Sequence, residues 1–262
     1  MTARTLELID HGRYPLHDLA SDAGRRFVDD ARLTFSREGL IALEGFLRPG
    51  TTRRIVHHAL SDERQGGHRF SGTSDVFFHT EAGEDRQTGL AYTKTDVPYD
   101  RISPLSPVRA LYQWDLLLDF ITAVVGGPVH RSADPLGAAV VQIQRDGDQQ
   151  DWHFDISEYS VLLHARAPES GGVLQYALRS RDRVRRDPDA FRRITAEDPA
   201  APLRHLPTAS GTLVLHAGSV SMHRVTPVRG RTPRINATLT FNSKPGQTLN
   251  EYTRRLHFGR DH

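Results

Sequence analysis

Cysteine is absent from the 262 residues, which excludes a disulfide framework, a thiolate nucleophile and any thiolate-held zinc or iron–sulfur centre. No run approaches the roughly 20 apolar residues of a membrane-spanning helix, so no membrane partner is expected. Residues 1–30 carry Asp10, Asp18, Asp22, Asp29 and Asp30 and no apolar block, which argues against a secretory leader and for a cytoplasmic location. Lysine is nearly missing: Lys94 and Lys244 stand alone, and arginine carries the remaining positive charge. Net charge is only +2 with acids and bases interspersed, so no basic face for nucleic acid is expected. The densest mixed run, Arg179 to Arg193, reads as a solvated surface segment.

Histidine, by contrast, is plentiful. Fourteen residues in a chain without cysteine direct attention to histidine–carboxylate metal sites. With 37% hydrophobic residues the chain can build a real core, and its length fits one domain, 1–262. Helical support is expected over about 1–130 and a β core over about 134–245. In the first part, Leu19, Ala23, Phe27 and Ala31 share a helical face, and Leu40 to Leu43 reads as a strand. Thr51 to Leu60 reads as a second helix. Residues 61–100 read as loops and short strands. A helix starting at Pro107 is expected to bury Leu111, Trp114, Leu118, Ile121 and Val125. From residue 138 the period shortens. Strands are expected at Ala138–Gln144, Asp151–Asp155, Tyr159–Arg166, Val173–Leu178, Gly211–His216, Met222–Val228 and Arg234–Asn242. Many short strands separated by turn signals suggest a jelly roll.

The stretch Asp151-Trp152-His153-Phe154-Asp155 carries the chemistry. Read as a strand, it projects His153 and Asp155 to one side and Trp152 and Phe154 to the other. A histidine nitrogen beside a carboxylate oxygen can take two adjacent positions on a metal. His223, 70 residues on, is the best third ligand, with His216 the alternative. Two histidines and one carboxylate on one face of an octahedron leave three positions open, the facial arrangement of non-haem Fe(II) oxygenases. A lone His-X-Asp arises often by chance, so the second half matters. Arg234, Asn236, Thr238 and Thr240 alternate with Ile235, Ala237, Leu239 and Phe241. The polar face could line a pocket in which Arg234 grips a carboxylate. Arg231, in the preceding turn, competes for that role, but the strand phase favours Arg234. 2-Oxoglutarate suits both demands: its keto acid would chelate iron and its far carboxylate would meet the arginine.

These motifs resemble the Fe(II)/2-oxoglutarate-dependent dioxygenases, and within them the small bacterial group of free-amino-acid halogenases and related hydroxylases. The resemblance rests on Gly147 through Asp155, Leu162-Leu163, Pro168 with Gly171-Gly172, and Tyr176. It continues through His223-Arg224-Val225-Thr226-Pro227-Val228, Pro233-Arg234, Lys244-Pro245-Gly246 and Phe258-Gly259-Arg260. Leu111-Tyr112-Gln113-Trp114 and Asp134-Pro135-Leu136-Gly137 also look similar. The resemblance implies a double-stranded β-helix, with iron held by His153, Asp155 and His223 and 2-oxoglutarate by Arg234. The halogenases have glycine at the position of Asp155, so the resemblance implies hydroxylation or another oxidative outcome here, not halogenation, with release of succinate and CO2. His164, Ala177 and Asn236-Ala237-Thr238 depart from the relatives, which leaves the substrate open. A small polar metabolite, such as a free amino acid or a derivative, is the expected partner.

Asn236, Thr238, Gln150 and Glu158 are candidate substrate contacts, with Tyr159 also near the metal strand. His79, Tyr92 and Lys94 fall in a segment expected to fold over the barrel mouth. His57 and His58 read as structural or exposed, and Trp114 as core. Two other readings compete: a jelly-roll metal or ligand sensor without turnover, and a cupin-type metal hydrolase or isomerase. A sensor has no need of the carboxylate clamp at Arg234, and a hydrolase would work without O2.

Overall fold

The computed structural model describes residues 5–78, 90–206 and 209–262. In chain order the elements are α1 (Asp22–Glu38), β1 (Leu40–Leu43), α2 (Pro49–Gly66), β2 (His68–Ser74), β3 (Leu90–Val97), α3 (Pro107–Tyr112) and α4 (Asp115–Val125). Then follow β4 (His130–Arg131), β5 (Ala139–Gln144), β6 (Gln149–His153), β7 (Tyr159–Arg166), β8 (Ser170–Gly171) and β9 (Leu174–Ala177). The chain ends with α5 (Arg181–Arg186), α6 (Pro188–Thr195), β10 (Leu203–Leu206), β11 (Leu213–His216), β12 (Met222–Val225), β13 (Val228–Arg229), β14 (Arg234–Asn242) and α7 (Glu251–Phe258). No helix among the described residues is long and apolar enough to cross a membrane.

Helix boundaries follow local chemistry. The Ser21 side chain accepts the Gly24 N–H and caps α1, which ends where Gly39 takes a left-handed conformation. Pro49, Pro107 and Pro188 open their helices, where a missing N–H costs nothing. The single helix expected after Pro107 is two helices. α3 stops at Tyr112, and Trp114 takes an extended conformation as the N-cap of α4. Trp114 is buried as expected, but in α4 the buried stripe is Leu117, Phe120, Ile121 and Val124 rather than Leu118 and Val125. The arginine-rich segment is not simply solvated: α5 and α6 bury Val184, Ala190 and Ile194 while their charges face outward. Residues 61–100 hold more order than expected, since β2 and β3 pair over seven residues from His68↔Asp96 to Ser74↔Leu90.

The main sheet runs β1-β11-β7-β14-β5-β3-β6-β12-β9-β10, with antiparallel neighbours throughout. β11 and β12 stand six strand steps apart in that order. In a flat sheet that is about 29 Å at ~4.8 Å per strand. The His216 and His223 rings on those strands nevertheless lie 4.6 Å apart, so the sheet curls back on itself. Leu40 and Val214 from one end pack with Leu174 and Tyr176 from the other. The alternation of β14 divides the molecule. Ile235, Ala237, Leu239 and Phe241 join α1 to α4 in the main core, while Thr238 and Thr240 face a cavity inside the curl. A second core around Trp152, Phe154, Tyr92 and Met222 supports β6 from its outer face.

Asp134 ties the C-terminal helix to this frame. Its Oδ1 accepts the Leu136 and Gly137 N–H groups, and its Oδ2 accepts the Leu249 N–H and the Arg254 guanidinium at 2.8 Å. Removing one member of a buried, hydrogen-bonded pair strands the other. Asp134→Ala should therefore lower unfolding free energy by about 3 kcal/mol in urea titrations, and a loss under about 1 kcal/mol would refute this reading of the hub.

Candidate metal centre

His153 and His223 are direct cross-strand partners of β6 and β12. Their Nδ1 atoms lie 2.7 Å from the Asp151 carbonyl and 2.9 Å from the Ser221 carbonyl. A carbonyl only accepts, so each Nδ1 carries the proton and each Nε2 keeps its lone pair for a metal. Those two Nε2 atoms stand 3.6 and 3.4 Å from Asp155 Oδ1. Adjacent octahedral donors at the roughly 2.1 Å metal–nitrogen distance would be about 3.0 Å apart, so the set fits a divalent ion with little contraction. Among the described residues these three form the one such cluster.

The route to Asp155 differs from the sequence argument. β6 ends at His153, so strand alternation does not aim the carboxylate. Instead the Phe154 N–H donates to Val76 O and the Asp155 N–H to Gly218 O, pinning the chain as it leaves the sheet. Ser160 Oγ donates to Asp155 Oδ2 at 2.8 Å and orients the carboxylate from behind. A Cβ on Gly218 would lie 2.1 Å from that same oxygen. In the sequence Gly218 only separates His216 from His223, and the fold brings it against the Asp155 carboxylate.

Burial, with His223 beside it, pulls His153 down to about 4. Burial alone would push Asp155 up, but His223 and His153 hold it well below the usual carboxylate range. His216 is fully buried, its two nitrogens lack partners among the described residues, and burial pulls it to about 3. It stands beside His223 without joining the three-residue cluster.

Arg234 opens β14 and is 2% exposed. Its guanidinium meets Gln144 Oε1 at 2.8 Å and His164 Nδ1 at 3.5 Å, its Nε has no partner, and no carboxylate pairs with it among the described residues. Burial lowers it to about 10, and it helps push His164 well below its ordinary value after burial has done most of the work. A buried cation without a counter-charge is costly to the fold. Gly172, in a left-handed conformation, leaves room for the arginine's methylenes, since a Cβ there would lie 2.9 Å from Arg234 Cδ. Arg231 is exposed in the turn, and its backbone N–H donates to Glu169 Oε1.

The other expected site residues separate. Gln150 and Thr238 line the cavity of about 90 Å³ that Asp155 also lines, and Gln150 Nε2 lies 3.1 Å from His153 Nε2. Asn236 is buried one step from it, donating to Gln142 Oε1 and Thr238 Oγ1, with its own Oδ1 unpartnered among the described residues. Glu158 is not on that wall: its carboxylate accepts from Ser243 Oγ, and it borders a separate surface depression with Tyr159. Tyr92 and Lys94 are not in a loop but buried on β3, and His79 lies outside the described residues.

The sequence model described as Halogenase D matches residues 24–255. No curated protein matches in sequence. Among solved structures, the non-haem α-ketoglutarate-dependent epimerase SnoN from nogalamycin biosynthesis is 13% identical. It superposes with TM-score 0.60 over 83% of this chain and 81% of its own. An oxidoreductase of the 2OG-Fe(II) oxygenase family from Burkholderia pseudomallei is 13% identical, with TM-score 0.54 over 84% and 92%. HygX from Streptomyces hygroscopicus, solved with nickel and 2-oxoglutarate, is 14% identical, with TM-score 0.56 over 82% and 87%. What is shared at such identities is the fold, a jelly-roll core.

Two outcomes test this geometry. His153 and His216 have folded-state values below the ordinary 6.5, so the unfolded chain binds their protons first as pH falls. Metal-stripped protein should therefore keep its Tm above pH 6.5 and lose it steadily from pH 6.5 to 4. His216→Phe should flatten part of that slope, and an unchanged slope would sink the assignment. Gly218→Ala should leave the fold intact but weaken divalent-metal binding about 10- to 100-fold by calorimetry, as for other disturbed supports of a metal ligand.

Proposed function

The chain belongs to the Halogenase D family, and from that premise we propose that it is an Fe(II)- and 2-oxoglutarate-dependent oxygenase that hydroxylates a C–H bond of a small polar metabolite. The substrate class is a free amino acid or a close derivative. The observation that carries the reading is the pairing of a His153–Asp155–His223 set with a buried guanidinium at Arg234 that lacks a counter-charge. HygX, of like fold, holds nickel and 2-oxoglutarate, and this chain has a residue for each demand of such a pair.

His153, Asp155 and His223 would hold the ion, with Ser160 and the two backbone carbonyls fixing their orientation. Arg234 would take the far carboxylate of 2-oxoglutarate, beside Gln144 and a neutral His164 that adds no competing charge. Phe78, Val140, Ile156, Leu249 and Phe258 give the cavity an apolar wall that limits water near the substrate. When bound, iron and 2-oxoglutarate supply O2-dependent oxidation. One oxygen atom goes to the substrate as hydroxyl, the other to succinate, and CO2 leaves. Asp155 stands where the halogenases have glycine, which supports hydroxylation over halogenation. A sensor would gain nothing from a buried, unpaired Arg234, and a hydrolase would need no cosubstrate clamp.

Arg234→Met keeps the reach and removes the charge. It should raise KM for 2-oxoglutarate at least about 10-fold, the size expected for a lost hydrogen bond to a charged group. Iron content should stay unchanged. Succinate formation with wild-type KM in this variant would refute the clamp.

A further inference from the structure

The cavity has a second charged wall that neither the metal set nor Arg234 accounts for. Lys94 and Asp96 alternate on β3 and point to one side, 2% and 1% exposed. Lys94 Nζ lies 2.9 Å from Asp96 Oδ2, and His257 Nδ1, on α7, lies 2.9 Å from the same oxygen. Asp96 Oδ1 is buried without a partner among the described residues. All three residues line the cavity that Asp155 lines. Of 34 basic residues only two are lysines, leaving 32 arginines, and one of those two lysines is buried here.

A purely structural ion pair would use up its own hydrogen-bonding capacity. This one does not. An ammonium has three donors, and Asp96 Oδ2 takes one. A carboxylate oxygen is left open beside it. Burial would push Asp96 up, yet Lys94 and His257 hold its carboxyl below the ordinary range, so it is ionised. Burial, then Lys94, keeps His257 low and therefore neutral above its ordinary range. The wall is thus neutral overall but split: spare donors on a cation next to a spare acceptor on an anion.

We propose that Lys94 and Asp96 together recognise a zwitterionic head group, the substrate's carboxylate meeting the Lys94 ammonium and its ammonium meeting Asp96 Oδ1. His257 is the positioning residue that fixes Asp96. A purely anionic ligand would leave Asp96 Oδ1 unanswered and crowd it with like charge. A purely cationic one would face Lys94. Only a group carrying both charges on neighbouring atoms, as an α-amino acid does, satisfies both at once. This assignment rests on the oxygenase reading for the identity of the cavity and extends it by naming what selects the substrate.

The test is anaerobic calorimetry on iron- and 2-oxoglutarate-loaded protein, titrated with the twenty common L-amino acids, their carboxamides and their N-acetyl forms. At least one amino acid should bind. Its carboxamide and its N-acetyl form should each bind about 10- to 100-fold more weakly, the loss expected when a charged hydrogen bond is removed. The double variant Lys94→Gln with Asp96→Asn keeps hydrogen bonding without charge. It should bind the amino acid more weakly by a similar factor, no longer distinguish it from its carboxamide, and hold 2-oxoglutarate within about 2-fold of wild type. Should that variant misfold, the wild-type series decides alone. No binding by any amino acid, or equal binding of the amino acid and both blocked forms, overturns the proposal. Succinate formation by the same wild-type sample once O2 is admitted reports separately on the oxygenase reading, so either idea can fail without the other.

Discussion

The pairing that sets His153 opposite His223 is the contact on which the rest of the site depends. It joins β6 to β12 and makes two imidazoles neighbours, with ring centroids 4.2 Å apart. A one-residue slip of either strand would turn one ring to the opposite face. The Trp152 and Phe154 rings, packed on that other face, resist such a slip by anchoring β6 in its own small core. Beyond His153 the strand ends, and the chain is held by backbone bonds to Val76 and Gly218 so that Asp155 returns to the same point. Three donors from two strands and a strand exit thus converge without a long loop.

The inside of the curl carries polar atoms that a pure packing core would not tolerate. Asp96 Oδ1, Gln144 Nε2, His164 Nε2, Asn236 Oδ1, Arg234 Nε and both nitrogens of His216 are buried without partners among the described residues. Each such atom costs about 1–3 kcal/mol when left unmade. Most of them belong to residues grouped around Arg234, the metal set or the Lys94 wall, which is what a ligand-binding interior requires. The stabilising counterpart is the opposite face of the same strands, where Ile235, Ala237, Leu239 and Phe241 meet four helices in a continuous apolar core.

Much of this was legible from the chain itself. β1, β7 and β14 fall at the expected residues, β1 and β7 around short apolar runs and β14 through a strict polar–apolar alternation. The inward set of β14 follows from the same alternation. The three clustered residues are visible as His-X-Asp and a distant histidine, but strand alternation does not explain their convergence: Asp155 lies past the strand, and Gly218 and Ser160 place it. What escaped was long-range. β3 looks polar and irregular in isolation, yet it is buried in the middle of the sheet, where Lys94 pairs with Asp96 Oδ2 and leaves Oδ1 open. His257 gains meaning only because α7 docks through Asp134 and Arg254. The break between α3 and α4 is hidden in the sequence because Trp114 continues the apolar stripe while its backbone leaves the helix.

The measurement that bears most directly on the account is O2 uptake by iron-loaded protein, followed together with succinate, with and without 2-oxoglutarate and a mixture of L-amino acids. The account requires O2 consumption that depends on both iron and 2-oxoglutarate, rises with the amino-acid mixture and yields one succinate per O2. Folded, iron-loaded protein that consumes no O2 under these conditions would contradict it.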